Sequence, residues 1–231
     1  MKYETIFLDL DDTLIDTSSN NYEALTEIFT EYGFDNDYET FDDFYEVFKP
    51  YNLSLWKLYE QNRINKEDLK SRRFYEPFKH IEKISQKRAL EINNDFMFRS
   101  SSKRRLIDGA IELLEALKPK FKIIMLSNGF EEVQYKKLEM AGLEGYFDKV
   151  ILSDQAGVNK PNPLIFEFAL SESNASKEKT VMIGDNWISD ITGARNSGID
   201  QMWYAPNEYN KTDFEPTYVI KELSEAIEIL L

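Results

Sequence analysis

The sequence predicts an α/β fold: a parallel sheet with helices on both faces, interrupted after its first strand by an inserted helical segment. Two patterns carry this reading. Short apolar runs alternate with amphipathic stretches from Asp108 onward, as they do when a parallel sheet is covered on both sides. One further apolar run stands apart at Lys2 to Leu8, and between the two parts aromatic and aliphatic residues recur at helical spacing. A chain of 231 residues suits one large domain, or one domain with a sizeable insertion. We place the α/β core at 1–16 and 97–231 and the helical segment at 17–96.

Taken in order, Lys2 to Leu8 is the first strand. The helical segment follows with Tyr22, Leu25, Ile28 and Phe29, then Phe41, Phe44, Tyr45 and Phe48, then Leu55, Trp56, Leu58 and Tyr59. Acidic and amide-rich breaks, "DNDYET" and "QNRINKED", separate these stretches. A helix from Asp108 to Lys118 leads to the strand "FKIIML", and one from Phe130 to Met140 leads to "KVIL". A helix from Asn162 to Leu170 precedes "TVMIG", and a helix near Ile188 to Asn196 precedes "DQMWY". The short strand "TYVI" and a helix from Lys221 to Leu230 close the chain. No internal repeat stands out.

Composition narrows the function. With 28 Lys and Arg against 42 Asp and Glu, the formal net charge is -14. Such a surface repels a nucleic-acid backbone, so no polymeric nucleic acid is expected as partner. The basic cluster "SKRR" at Ser102 to Arg105 reads as a helix-start or linker charge cluster. Without cysteine there is no disulfide, thiolate metal site or thiol nucleophile. The single histidine, His80, cannot build a zinc site or a Ser-His-Asp triad and is expected on the surface. No apolar run approaches membrane-spanning length and no basic leader precedes the first strand, so a cytoplasmic protein without membrane contact is expected.

In open α/β sheets ligands bind beyond the carboxyl ends of the strands, and there the unusual residues collect. The first strand ends on Asp9-Leu10-Asp11, "FKIIML" on Ser127-Asn128-Gly129, and "TVMIG" on Gly184-Asp185, with Asp190 close behind. "KVIL" runs into "SDQAGVNKP", which sets Lys160 ahead of the next helix. A carboxylate can attack a phosphoryl group and become an aspartyl phosphate. A second carboxyl two residues on can protonate the leaving oxygen and then deprotonate water. Crowded carboxylates need a counter-charge, and Mg²⁺ suits an all-oxygen set that leaves room for substrate phosphate. Lys160 supplies a second positive charge, while Ser127 and N–H groups at the adjoining helix start can hold phosphate oxygens. Ser127 alone also fits a helix N-cap, and Asp12 and Asp16 fit turn-forming roles.

"DLDDTL", "LSNG", "KPNPLIF" and "GDNWISDITGA" together resemble the four ordered motifs of the haloacid dehalogenase superfamily, whose core is a Rossmann-like parallel sheet. The resemblance implies Asp9 as nucleophile and metal ligand, and Asp11 as general acid/base that gives its backbone carbonyl to Mg²⁺. It implies Ser127 and Asn128 on phosphate, Lys160 on the nucleophile and phosphate, and Asp185 as acidic metal ligand. Asp190 would stand behind the metal or pair with Lys160. The insertion resembles a C1-type cap, which in this superfamily closes over the substrate.

Three other classes remain to be weighed. The dehalogenase branch uses an Asp nucleophile without metal and lacks the acid two residues on, whereas Asp11 is present here. Phospho-accepting receivers carry their acceptor Asp after the third strand, are about half this length and have no cap. A binding protein that keeps the fold without turnover is expected to have lost a motif residue, and none is lost.

"NLSLWKLYEQNRINKEDLKSRRF" resembles the cap of bacterial pyrimidine 5'-nucleotidases at Asn52, Leu55, Trp56, Tyr59, Ile64, Leu69, Arg73 and Phe74. That branch usually has Gly before the Ile, where this chain has Asn62-Arg63, so a different local turn is expected. Trp56 and Tyr59 fit cap core or a base-stacking platform. The expected substrate is a small phosphorylated metabolite: a nucleoside monophosphate, or alternatively a phosphosugar such as phosphoglycolate. The sequence is silent on oligomeric state.

Overall fold

The computed structural model of the protein describes residues 2–207 and 212–231. The chain forms two compact units, Met1–Asp16 with Arg104–Leu231, and Thr17–Lys103. No helix among the described residues is long and apolar enough to cross a membrane.

Strand β1 is Thr5–Leu8. The helical unit then runs through α1 (Thr17–Glu31), α2 (Phe41–Glu60), α3 (Lys66–Arg72), α4 (Tyr75–Phe78) and α5 (Gln86–Ser102). Local signals set its helix starts. Thr40 and Asp43 form a capping box on α2, Asn65 and Asp68 form one on α3, and the Ser85 hydroxyl accepts from the Arg88 N–H at the head of α5. Just beyond α2, Asn62 adopts a left-handed conformation at φ 54. Asn is among the few residues other than glycine that tolerate it, so Asn62 can make this left-handed turn without a glycine.

The unit is held by aromatic rings. Phe44 is fully buried, 4.8 Å from Phe34, 4.9 Å and nearly parallel to Phe78, and 5.6 Å from Phe29. Phe48, Phe74 and Phe96 extend the cluster. Tyr59 is buried and meets Trp56 edge-on at 5.7 Å, and His80 is exposed. Return to the α/β unit comes at Arg104 rather than at residue 97, because α5 is tied to α1 along its last two turns. Arg99 pairs with Glu27 at 3.1 Å, Glu31 at 2.5 Å and Asp95 at 2.9 Å, while Lys103 pairs with Glu23 at 2.5 Å and with Glu27. Lys103 of the basic cluster thus lies at the end of a helix rather than at the start of one, where it pairs with acids of α1.

The α/β unit continues with α6 (Ala110–Leu117), β2 (Lys122–Ser127), α7 (Glu131–Ala141), β3 (Lys149–Leu152), α8 (Ser153–Ala156), α9 (Pro163–Ser173) and β4 (Thr180–Gly184). A π-helical turn (Trp187–Thr192), α10 (Gly193–Asn196), β5 (Asp200–Tyr204), β6 (Tyr218–Ile220) and α11 (Leu223–Leu230) complete it. All six strands are parallel in the order β3-β2-β1-β4-β5-β6. Alternate strand residues separate cleanly between the two faces. Ile6, Leu8, Ile123, Met125, Val181 and Ile183 join the α6 and α11 side, whereas Phe7, Ile124, Leu126 and Met182 pack on Ile165, Phe166 and Ala169 of α9. The chain winds outward from β1 to β3 and restarts at β4 beside β1, which makes the β1/β4 boundary the topological switch point where α/β sheets bind ligands.

Beyond β1 the chain turns back on itself before entering the helical unit. Asp12 N–H donates to Ile15 O at 2.8 Å, Asp16 N–H donates to Arg105 O at 3.1 Å, and Ile15 bridges Leu106. Asp12 lies at φ 55, a turn role consistent with its sequence reading.

Phe44→Ala should cost about 3–5 kcal/mol, the usual loss for a buried phenylalanine. Urea denaturation followed by tryptophan fluorescence measures it; a loss below about 1 kcal/mol would show that Phe44 is not central to this core.

Candidate active site

The strand ends bring most of the singled-out residues together. Asp9 follows β1, Ser127 ends β2, and Gly184 ends β4 with Asp185 directly after it. Lys160 sits in the loop between α8 and α9. The residue is 2% exposed, and its Nζ lies 2.6 Å from Asp9 Oδ1, 2.6 Å from Asp190 Oδ1 and 2.7 Å from Leu126 O. All three donors of the ammonium are therefore used inside the protein.

Asp190 reaches this position because its segment is not the regular α-helix expected at Ile188 to Asn196. The Asn186 side chain caps the N–H groups of Ile188 and Ser189, and the next residues form a wider π turn in which Ile191 N–H donates back to Asn186 O. Asp190 Oδ2 accepts the Asn186 N–H at 3.0 Å, which fixes the carboxylate that Lys160 meets. Gly184 allows the approach, since a Cβ there would fall 2.4 Å from Asp190 Oδ2.

Asp185 is held by Thr13, whose hydroxyl donates to Asp185 Oδ1 at 3.1 Å and accepts the Asp185 N–H at 3.1 Å. Trp203 Nε1 donates to Asp185 O at 2.8 Å. Asp9, Asp185 and Asp190 each offer a carboxylate oxygen within 4.8 Å of the others. Burial, reinforced by Asp190 and Asp11, pushes the Asp9 carboxyl up to about 8 against the opposing pull of Lys160. Burial also pushes Asp185 up, to about 9, with Asp190, Asp9 and Asp12 adding to it. With all three carboxylates ionised, the one ammonium leaves two negative charges unbalanced. A divalent cation with hard oxygen ligands fits that deficit. Asp9 and Asp185 suit it best, because both oxygens of Asp190 are engaged by Lys160 and Asn186.

Ser127 is not a helix cap; Phe130 occupies that position on α7. Its hydroxyl accepts from Gly129 N–H at 3.0 Å and from Gln134 Nε2 at 2.7 Å. Its own hydrogen meets no acceptor among the described residues, which leaves it to donate to a ligand oxygen. Asn128 behaves differently from a free phosphate ligand. Its side chain brackets Lys160, accepting the Lys160 N–H at 2.7 Å and donating to Lys160 O at 2.9 Å, beside the cis Lys160-Pro161 peptide.

Asp11 turns toward α7, where it meets Lys137 Nζ and the Gln134 amide, the latter at 2.6 Å. Sequence reading missed Thr13, Gln134 and Lys137. The available signal was weak: a threonine between Asp12 and Leu14, and two polar residues three apart on the side of α7 that also carries buried Leu138.

A family model described as haloacid dehalogenase-like hydrolase matches residues 3–198. The chain is 33% identical to the pyrimidine 5'-nucleotidase PynA of Streptococcus pneumoniae, over all of this chain and 96% of that one. It is 31% identical to the pyrimidine 5'-nucleotidase YjjG of Escherichia coli, over 100% and 99% of the two chains. Among solved structures, the magnesium-bound HAD-hydrolase YfnB of Bacillus subtilis superposes with a TM-score of 0.88 at 27% identity, covering 100% of this chain and 99% of that one.

Lys160→Met should destabilise the protein by about 3–5 kcal/mol, because it strands two buried carboxylates without their cation. Chemical denaturation at pH 7 tests this, and a stability equal to wild type would contradict the buried triad.

Proposed function

This chain belongs to the haloacid dehalogenase-like hydrolases, and we propose that within them it is a magnesium-dependent 5'-nucleotidase for pyrimidine nucleoside monophosphates. Full-length similarity to two pyrimidine 5'-nucleotidases supports the substrate class. The observation that carries the chemistry is the juxtaposition of Asp9, backed by Lys160 at 2.6 Å, with a Ser127 hydroxyl left free to donate.

In this reading one oxygen of Asp9 attacks phosphorus, while Lys160 holds the other and offsets the charge that gathers as the new bond forms. The ester P–O bond breaks, and Asp11 gives its proton to the departing nucleoside oxygen. Asp11 then takes a proton from water as that water displaces Asp9 from phosphorus, releasing phosphate. Ser127 donates to a phosphate oxygen and fixes the group during both displacements. Asn128 acts through Lys160, whose backbone it brackets on both sides. Asp9, the Asp11 backbone carbonyl and Asp185 would hold Mg²⁺, which supplies charge neutralisation for the phosphate when bound. Asp190 orients Lys160 without touching substrate.

Asp9→Asn should abolish turnover, by at least about a thousandfold, with the native circular-dichroism spectrum retained; near-wild-type phosphate release would end the nucleophile assignment. EDTA should stop hydrolysis and added Mg²⁺ restore it, read as phosphate release, and full activity in EDTA would remove the metal from the mechanism. Across a panel of nucleoside monophosphates and phosphosugars, the highest kcat/KM should fall on a pyrimidine nucleotide. Preference for a phosphosugar would overturn the substrate class while leaving the phosphatase chemistry standing.

A further inference from the structure

Two buried residues of α7 reach the site without belonging to any of the motifs. Gln134 and Lys137 are 0% and 6% exposed and lie three apart, hence on one face of the helix. Lys137 Nζ pairs with Asp11 Oδ1, and Gln134 Nε2 donates to Asp11 Oδ2 at 2.6 Å. The same amide nitrogen donates to Ser127 Oγ at 2.7 Å. One helix face therefore tethers both oxygens of Asp11, and one nitrogen joins Asp11 to the Ser127 hydroxyl.

The fit around Gln134 is tight. A Cβ at Gly129 would fall 1.9 Å from Gln134 Nε2, so the backbone passes directly against the amide. Gln134 also buries its Oε1 without a hydrogen-bond partner, a penalty that an apolar residue of similar size would avoid. Packing alone gives no reason for a glutamine here. Its two hydrogen bonds to Asp11 and Ser127 do.

We propose that Gln134 and Lys137 are positioning residues, which hold the Asp11 carboxyl and the Ser127 hydroxyl in one fixed relation to each other. Acid and phosphate ligand are then set by a single rigid element, and proton transfer occurs in register with the bound phosphoryl group. The proposal rests on the reading above, in which the Asp9–phosphorus bond forms, the ester bond breaks, and its electron pair leaves on an oxygen that takes the Asp11 proton.

The test compares first-turnover release of the leaving group from uridine monophosphate and from 4-nitrophenyl phosphate. 4-Nitrophenolate departs without protonation, so its release is indifferent to where Asp11 is held. Lys137→Met and Gln134→Leu should each slow nucleoside release by about ten- to a hundredfold. Lys137→Met should leave 4-nitrophenol release within about threefold of wild type and nucleotide affinity little changed, whereas Gln134→Leu, which also loosens Ser127, should slow 4-nitrophenol release too but nucleoside release more. Lys137→Arg should recover most of the loss. Equal slowing of both substrates, or no slowing of either, overturns the proposal. Asp11→Asn in the same assay separates the two levels: failure to distinguish the substrates overturns the acid role of Asp11 and the positioning with it. Discrimination by Asp11→Asn but none by the α7 variants overturns the positioning alone.

Discussion

The ammonium of Lys160 lies between the carboxylates of Asp9 and Asp190, 2.6 Å from each and almost fully buried. Desolvating three charged groups is unfavourable by itself, and their mutual attraction compensates only when geometry is tightly controlled. Much of the α/β unit can be understood as that control. Asn128 fixes the backbone at Lys160, Leu126 O takes the third ammonium proton, the π turn after β4 presents Asp190, and Gly184 leaves space for it. The triad joins residues from β1, from the loop ahead of α9 and from the turn after β4. Its formation therefore depends on strand order being correct across the switch point of the sheet.

Charge at this rim is arranged in two compartments. Asp9, Asp185 and Asp190 share a single cation; burial first, and the neighbouring acids after it, raise the Asp9 and Asp185 carboxyls, and the crowding favours a divalent ion. Asp11, two residues from Asp9, instead turns to Lys137 and Gln134 on α7. The +2 spacing thus sends the two carboxylates to different cations, Asp9 to Lys160 and Asp11 to Lys137. Four acids in "DLDDTLID" are four different parts: Asp9 and Asp11 face these two compartments, Asp12 takes a left-handed turn, and Asp16 ties its N–H to Arg105 O.

Much of this was legible in the sequence because strands announce themselves by apolar runs and the sheet gathers their ends. Alternation predicted β1 to β6 and the helices between them, and motif spacing predicted which strand ends carry carboxylates. What stayed hidden depends on geometry that periodicity does not encode. The turn at Trp187–Thr192 has the composition of an ordinary helix start, and only the inward pull on Asp190 distinguishes it. Gln134 and Lys137 look like solvent-facing residues of α7 until the fold buries them. The end of the helical unit was read at 96, inside α5, because no sequence break marks the ion pairs that carry that helix on to Ser102.

The paired segments at Asp16 and Arg105 have a consequence for how such a protein can change. The chain leaves the α/β unit and re-enters it at points joined by the Asp16–Arg105 hydrogen bond and the Ile15–Leu106 bridge. An insertion whose two attachment points are already neighbours places little demand on the scaffold, so its length and sequence can drift while the sheet and its rim stay in register. The doorway, rather than the insert, carries the mechanical demand: a helical segment of different size can be attached there without reopening the problem of how Lys160 is buried.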